Sequence, residues 1–281
     1  MRPVIDAHIH VQPFHMLRPA AREVFWRRKV DAAVLEALAD DPARLLAVMD
    51  RDHIARAGLI NYVSPDVLGF TDEANDWVAQ YAAADPSRLI AFGSVNPRFT
   101  RDVGGATARL LDLGIRAFKV HPPHQLFAAN AYLDAHPALA ALYAQAQAAR
   151  VPVTVHTGTS VFPGARSRLG DPIAIDDVAV DFPDLTILVA HGGRPIWMET
   201  AFFLVRRHRN VHLELSGIPP AKLLEYFPRL EEIADKAVWG TDWPSPGVVS
   251  MRGNVEQFLE LPLSDAAKRK ILYENAARIF R

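Results

Sequence analysis

The sequence predicts an α/β fold, a (β/α)8 TIM barrel forming one domain over residues 1–281, with long βα loops over its site. Three observations carry this. Short apolar, β-rich runs alternate eight times with segments of helical periodicity. Histidines and an aspartate stand at the C-terminal ends of several of those runs, where barrel enzymes keep their reactive groups. The length of 281 residues suits a single barrel, which typically takes about 250. A doubly wound open sheet is the alternative. It would leave some of those run ends on distant strands, whereas a barrel brings them all around one axis.

The predicted strands, in order, are Val4–Ile9, Gly58–Val63, Leu89–Val95, Ile115–Val120, Val151–Val155, Thr186–Ala190, Val211–Leu215 and Lys236–Gly240. Helical stretches lie between them. One opens at Thr71-Asp72-Glu73 and runs to about Ala84, where Asp85-Pro86 ends it. Arg101–Leu113 has Ala, Leu and Val at helical spacing and is followed by Gly114, a stop signal. His136–Arg150 is rich in Ala and Leu. Pro172–Phe182 has Asp171 as a candidate N-cap and proline at its first position. Pro195–Arg207, Pro220–Ala234 and Ser264–Phe280 complete the set. Two connections are long. The one after His10 contains Phe14, Phe25 and Trp26 and a helical stretch near Pro42–Ala57; the other is Thr157–Gly170. Long loops at this end of a barrel tend to cover the active site.

Composition narrows the function. A net charge of -1 and the absence of long basic runs argue against nucleic acid; Arg27-Arg28-Lys29 is short and reads as a solvated helix face. With no cysteine, disulfides, thiolate metal sites and a cysteine nucleophile are excluded, so any metal must be held by imidazole and carboxylate. No apolar run reaches membrane-spanning length and no leader is recognisable, so a soluble, cytoplasmic protein is expected. No G-x-G-x-x-G follows the first strand and no Walker A pattern occurs.

The chemistry starts at Asp6-Ala7-His8-Ile9-His10. Residues i and i+2 on a strand face the same side, so His8 and His10 aim at one point. Two imidazoles so placed suit zinc, iron, manganese or cobalt. His156 ends the fifth predicted strand, His191 follows the sixth, and Asp242 follows the eighth in Gly240-Thr-Asp-Trp-Pro. Any one of these alone reads as a buried, hydrogen-bonded side chain. Five in the same topological place do not, because adjacent imidazoles and a carboxylate are costly to bury without a cation or a complete network.

The string DAHIH, VHTG, AHGG, GTDWP, running on to the terminal YENAARIF, resembles the amidohydrolase superfamily along nearly the whole chain. It looks most like the amidohydrolase-related branch, family 2, which includes aminocarboxymuconate-semialdehyde decarboxylase. The resemblance implies that His8, His10, His156 and Asp242 hold one divalent metal. Zinc is the default for these donors, and manganese or iron also fit. It implies that His191 and Asp242 handle the proton as catalytic groups. It also implies a metal-dependent hydrolase acting on a small carboxylate, ester, lactone, amide or activated carbon–carbon bond, or else a decarboxylase or hydratase of an aromatic or enoic acid. A homodimer is expected on the same ground.

The fourth predicted strand departs from the simplest family pattern, reading Phe118-Lys119-Val-His121-Pro-Pro-His124. Lys119 is read as a substrate-binding residue, with a carboxylated lysine bridging two metals as the alternative. His121 is a substrate contact or a structural histidine, and His124 belongs to the loop. Trp243 either walls the pocket or packs beneath its rim. Arg166 and Arg168 either meet an anionic substrate or are solvated; Arg194 either reaches the site or caps a helix; Ser216 lines the floor. Lys119, these arginines and Phe14, Phe25, Trp26, Phe127 and Phe162 suggest a small anionic substrate with an apolar portion. A catalytically dead barrel used for binding is the competing class, and the feature that would mark it, a missing ligand, is not seen.

Overall fold

The computed structural model describes residues 3–26, 31–245 and 248–281; the basic cluster Arg27-Arg28-Lys29 lies outside the described residues. Eight strands, β1 (Val4–Ile9), β2 (Ile54–Leu59), β3 (Leu89–Gly93), β4 (Ala117–Val120), β5 (Val153–His156), β6 (Ile187–Ala190), β7 (Val211–Glu214) and β8 (Ala237–Val238), form one parallel sheet in sequence order. The sheet closes on itself. Ala7 N–H donates to the carbonyl of Trp239 at 3.0 Å, Asp242 N–H to that of His8 at 2.8 Å and His10 N–H to that of Trp243 at 2.7 Å. This is the predicted (β/α)8 barrel. Its strands are buried on both faces, which is why they read as nearly unbroken apolar runs rather than alternating ones.

Seven strands begin and end within two residues of the sequence expectation; β2 does not. It was expected at Gly58–Val63 and lies at Ile54–Leu59. Pairing with β1 sets this register, with Val4 opposite Ile54 and Ile9 opposite Leu59. A charged residue, Arg56, hides the strand in the sequence; its Nη1 donates to the carbonyl of Phe280 at 2.7 Å. Gly58 is required where it sits: a Cβ there would stand 2.3 Å from the carbonyl oxygen of Ala7 on β1. Beyond Leu59 the chain crosses the mouth of the barrel and carries Tyr62 into the cavity described below.

The long connection after β1 contains three helices, Pro19–Trp26, Ala32–Asp40 and Pro42–Arg51. The last two are capped by Asp31 and Asp41, each accepting the N–H of the residue two positions on at 2.9 Å. The stretch expected to be helical through Ala57 stops at Arg51, because the residues from Ile54 onward are taken by β2. Helices Glu73–Ala82, Val103–Asp112, Leu139–Ala149 and Met198–Arg207 cover the outside of the barrel as predicted. The helix expected from Pro172 starts at Ala174, and Asp171 accepts from Ile173 N–H at 3.0 Å in the turn before it. Pro220–Ala234 is not one helix. Phe227 precedes Pro228 and adopts φ -130°, ψ 72°, which splits the segment into Leu223–Tyr226 and a 3-10 stretch from Leu230 to Lys236. Among the described residues, no helix is long and apolar enough to cross a membrane.

The terminal helical run is capped by Ser264 and passes through a π segment, Lys270–Glu274, before Asn275–Ile279. Buried Asn275 locks it to the barrel by donating through Nδ2 to the carbonyls of Ala234 and Ala237, both at 2.7 Å. Asn275→Ala leaves both carbonyls without that donor and is expected to cost about 2–4 kcal/mol. Urea unfolding checks this, and a loss below about 0.5 kcal/mol would show that the lock is not energetic.

Candidate metal centre and active site

The C-terminal ends of the strands carry the polar groups of an otherwise apolar core. Barrel closure brings His8 and His10 from β1 against Asp242, which follows β8. His10 Nε2 lies 2.9 Å from Asp242 Oδ1, His8 Nε2 lies 3.4 Å from the same oxygen, and the two Nε2 atoms are 3.3 Å apart. Imidazole and carboxylate ligands bonded to a divalent zinc at about 2.0–2.2 Å stand roughly 3–3.5 Å apart in a tetrahedron. The three atoms therefore already have the spacing of neighbouring ligands.

The groups behind them set which nitrogen faces the centre. His8 Nδ1 lies 2.6 Å from Oε2 of Glu214, the last residue of β7. Donating there leaves the Nε2 lone pair for the centre. Glu214 Oε2 also accepts from Ser216 Oγ at 2.9 Å, and Oε1 accepts from Ser216 N–H at 2.7 Å. His191 Nδ1 donates to the carbonyl of Ser216 at 2.9 Å, so its Nε2 lone pair is likewise free for the centre. Beneath them, buried Asp6 accepts from His8 N–H (3.2 Å), Thr241 N–H (2.9 Å) and Thr241 Oγ (2.6 Å), tying β1 to the segment after β8 that carries Asp242.

Electrostatics match this arrangement. Burial holds the imidazoles of His8, His121 and His156 well below the ordinary range, and that of His191 down to about 3. All four are therefore neutral at neutral pH, the form that binds metal or accepts a proton. Burial pushes the Asp242 carboxyl up, but the His10 hydrogen bond and the surrounding imidazoles outweigh it and keep the group well below its usual range. Burial pushes the Lys119 ammonium down to about 8, against the opposing pull of Glu214 and Asp242. His191 and Asp242 each adopt φ 64°, a left-handed backbone uncommon outside glycine and enriched at functional sites.

The predicted site residues are brought together unevenly. His8, His10, His156, His191, Asp242, Lys119 and His121 all line one cavity of about 330 Å³. His8, His191 and Asp242 offer ligand atoms within 4.8 Å of one another, so His191, expected as an acid–base group, also stands within ligand reach. His156 Nε2 is buried without a partner, as is Lys119 Nζ. His121 is sandwiched between His124 and His156, with ring centroids 3.7 Å apart on each side. Trp243 is buried but not part of the cavity lining, where Pro244 and Ser245 form the wall expected of it. Arg166 and Arg168 do not line the cavity, whereas Arg194 does. Of the expected aromatic residues, Phe25 and Phe162 line it, and Phe14, Trp26 and Phe127 do not. Ser216 sits behind the histidine rings rather than on the floor.

Two groups of functional residues were not anticipated. Glu214 is an acid ending an apolar strand, the same signal that marked His156, and could have been read that way. The sequence assigns His124 to the loop; in the structure its Nδ1 lies 2.9 Å from the Tyr62 hydroxyl and its Nε2 2.6 Å from Ser160 Oγ. The course of the chain after β2 brings Tyr62 there.

The fold and this cluster define a barrel with a histidine–aspartate centre at its mouth. A family profile described as amidohydrolase matches residues 5–281, and the chain belongs to that family. A curated relative, the 2-pyrone-4,6-dicarbaxylate hydrolase of Comamonas testosteroni, is 27% identical over 157 residues, 42% of this chain and 51% of the relative. The chain thus spans about half the length of that relative. An uncharacterised TIM-barrel protein from Bordetella bronchiseptica superposes with a TM-score of 0.77 at 24% identity, covering 99% of this chain and 98% of the other. A 5-carboxyvanillate decarboxylase from Novosphingobium aromaticivorans, complexed with manganese and 4-hydroxy-3-methoxy-5-nitrobenzoic acid, superposes at 0.66 with 16% identity, covering 100% and 96%. At these identities the superpositions show the fold.

If Glu214 sets the His8 tautomer, Glu214→Gln should weaken divalent-metal affinity about 10- to 100-fold. Competition titration against a chromophoric chelator measures this. Unchanged affinity would mean that the 2.6 Å contact does not tune the ligand.

Proposed function

We propose that this amidohydrolase is a metal-dependent enzyme of small, anionic substrates, with hydrolysis as its principal chemistry. In this reading His8, His10, His156 and Asp242 hold one divalent cation. The observation that carries it is the convergence of His8 Nε2, His10 Nε2 and Asp242 Oδ1 at 2.9–3.4 Å, with a buried, unpartnered His156 Nε2 in the same cavity. Zinc is the default for such donors, and manganese or iron are compatible. A cation bound there supplies Lewis-acid polarisation of a substrate carbonyl and lowers the pKa of water to roughly 7.

The chain's own residues do the rest. Asp242, ionised and positioned by Ser245 Oγ at 2.8 Å from Oδ2, accepts a proton from the attacking water at Oδ2, the oxygen not assigned to the cation. His191, neutral and fixed through Nδ1, offers Nε2 as the second proton-handling atom. Lys119 Nζ, buried and unpartnered, meets negative charge on the substrate, and His121 contacts it from the stacked ring system. The cavity volume of about 330 Å³ suits a small molecule.

Decarboxylation or hydration at the same centre is the second reading. It is favoured by Lys119, a cation of lowered pKa in the cavity, and by the decarboxylase named among the superposed structures. The named relative favours hydrolysis of a carboxylated lactone-type substrate instead.

Metal content per chain, on protein purified without chelator, tests the reading. One zinc, manganese or iron is expected, falling well below half occupancy in His8→Ala with activity lost in parallel. Two metals per chain would promote Lys119 to a bridging carbamate. No metal after reconstitution would sink the proposal. A substrate screen reporting carbon dioxide release against incorporation of labelled water separates the two chemistries.

A further inference from the structure

Arg194 follows the β6 motif His191-Gly-Gly and lines the cavity. Its backbone is held, since its carbonyl accepts from Thr159 N–H at 3.1 Å and its own N–H donates to the carbonyl of His191 at 3.1 Å. Its side chain has no such anchor. Nε is buried without a hydrogen-bond partner, and the guanidinium makes no ion pair among the described residues. Arg194 is only partly buried, so the cost falls on Nε, which has lost water and gained no partner in return. Side-chain packing alone does not call for a charged fork at this point.

Gly217 shows where the fork points. A Cβ on this residue would stand 2.5 Å from Arg194 Nη2, 3.0 Å from Asp242 Oδ2 and 3.0 Å from His191 Nδ1. The guanidinium, the carboxylate and the imidazole therefore converge on one glycine, whose φ of 65° also favours the absence of a side chain. Arg194 reaches the edge of the reaction centre because nothing larger than hydrogen occupies residue 217.

We propose that Arg194, admitted by Gly217, is the specificity-determining residue that binds a carboxylate of the substrate beside the reaction centre. A planar guanidinium with free N–H groups matches a carboxylate in bidentate geometry, and a partly desolvated site strengthens the pair. Lys119 is a point charge deeper in the same cavity and does not provide that fork. The substrate class is thus a small carboxylic acid whose carboxylate is a recognition handle, held at Arg194 while the reacting group faces His191 and Asp242. This deepens the proposed function and rests on its small-molecule site.

The test is ligand binding without turnover. Wild type, Arg194→Met and Arg194→Lys are titrated calorimetrically with benzoate, benzene-1,3-dicarboxylate and benzamide, each protein both manganese-loaded and chelator-treated. Arg194→Met should bind the carboxylates about 10- to 100-fold more weakly, with benzamide unchanged and Arg194→Lys intermediate. Its melting temperature should stay close to wild type, because no internal hydrogen bond is lost. Equal carboxylate binding by wild type and Arg194→Met, or no preference of wild type for either carboxylate over benzamide, overturns the proposal. So does a large drop in melting temperature with parallel loss of benzamide binding, the signature of a purely structural arginine. Metal uptake is scored separately. A wild type that takes up no metal yet discriminates carboxylates through Arg194 defeats the metal reading alone, and a metal-binding protein indifferent to Arg194 defeats this one alone.

Discussion

Asp242 N–H donates to the carbonyl of His8, and His10 N–H donates to that of Trp243. These two backbone bonds join the last strand of the barrel to the first, and the centre is built on that seam. They bring into contact side chains separated by 232 positions in the chain. Asp6 reinforces the seam from below by holding Thr241 and the His8 backbone together. Closure of a parallel sheet is a property of all eight strands, so the geometry of this cluster inherits the stability of the whole core rather than of any loop.

Burying so many polar groups at one end of an apolar barrel is expensive, and the arrangement offsets that cost in a particular way. His8 and His191 each have Nδ1 engaged behind them, which leaves Nε2 for the centre, and His121 and His156 stack ring on ring. Glu214 and Ser216 satisfy the outward nitrogens of His8 and His191 together, sharing hydrogen bonds among four groups. Four of the buried polar atoms left without a partner, His156 Nε2, His121 Nδ1, Lys119 Nζ and Arg194 Nε, belong to residues that line the cavity. Native interiors seldom leave buried polar atoms unpaired. Several sharing one cavity indicate that the balance is completed by what enters it.

Most of this was legible from the sequence because it depends on local periodicity. Histidines ending apolar runs, a Gly-Thr-Asp after the eighth run and an H-x-H on the first follow from strand geometry alone, as does the number of strands. The misplaced β2 shows the limit. Its Arg56 breaks the apolar pattern, and the acceptor its Nη1 finds, the carbonyl of Phe280, lies at the far end of the chain. The broken helix after Pro220 was legible in principle, since Phe227-Pro228 disfavours continuation. Glu214 carried a strand-end signal, whereas the pairing of Tyr62 and Ser160 with His124 had none.

The sequence by itself determined the architecture and the identity of the donor atoms, because alternation of apolar and polar residues selects strands and helices, and because a chain without cysteine has only imidazole and carboxylate to offer a metal. The tertiary structure decided which of those donors touch, which nitrogen of His8 and His191 faces the centre, that Arg194 lines the cavity while Arg166 and Arg168 do not, and that Trp243 lies outside its lining. These depend on closure and on register between strands distant in the chain, and the period of a single strand carries no information about either.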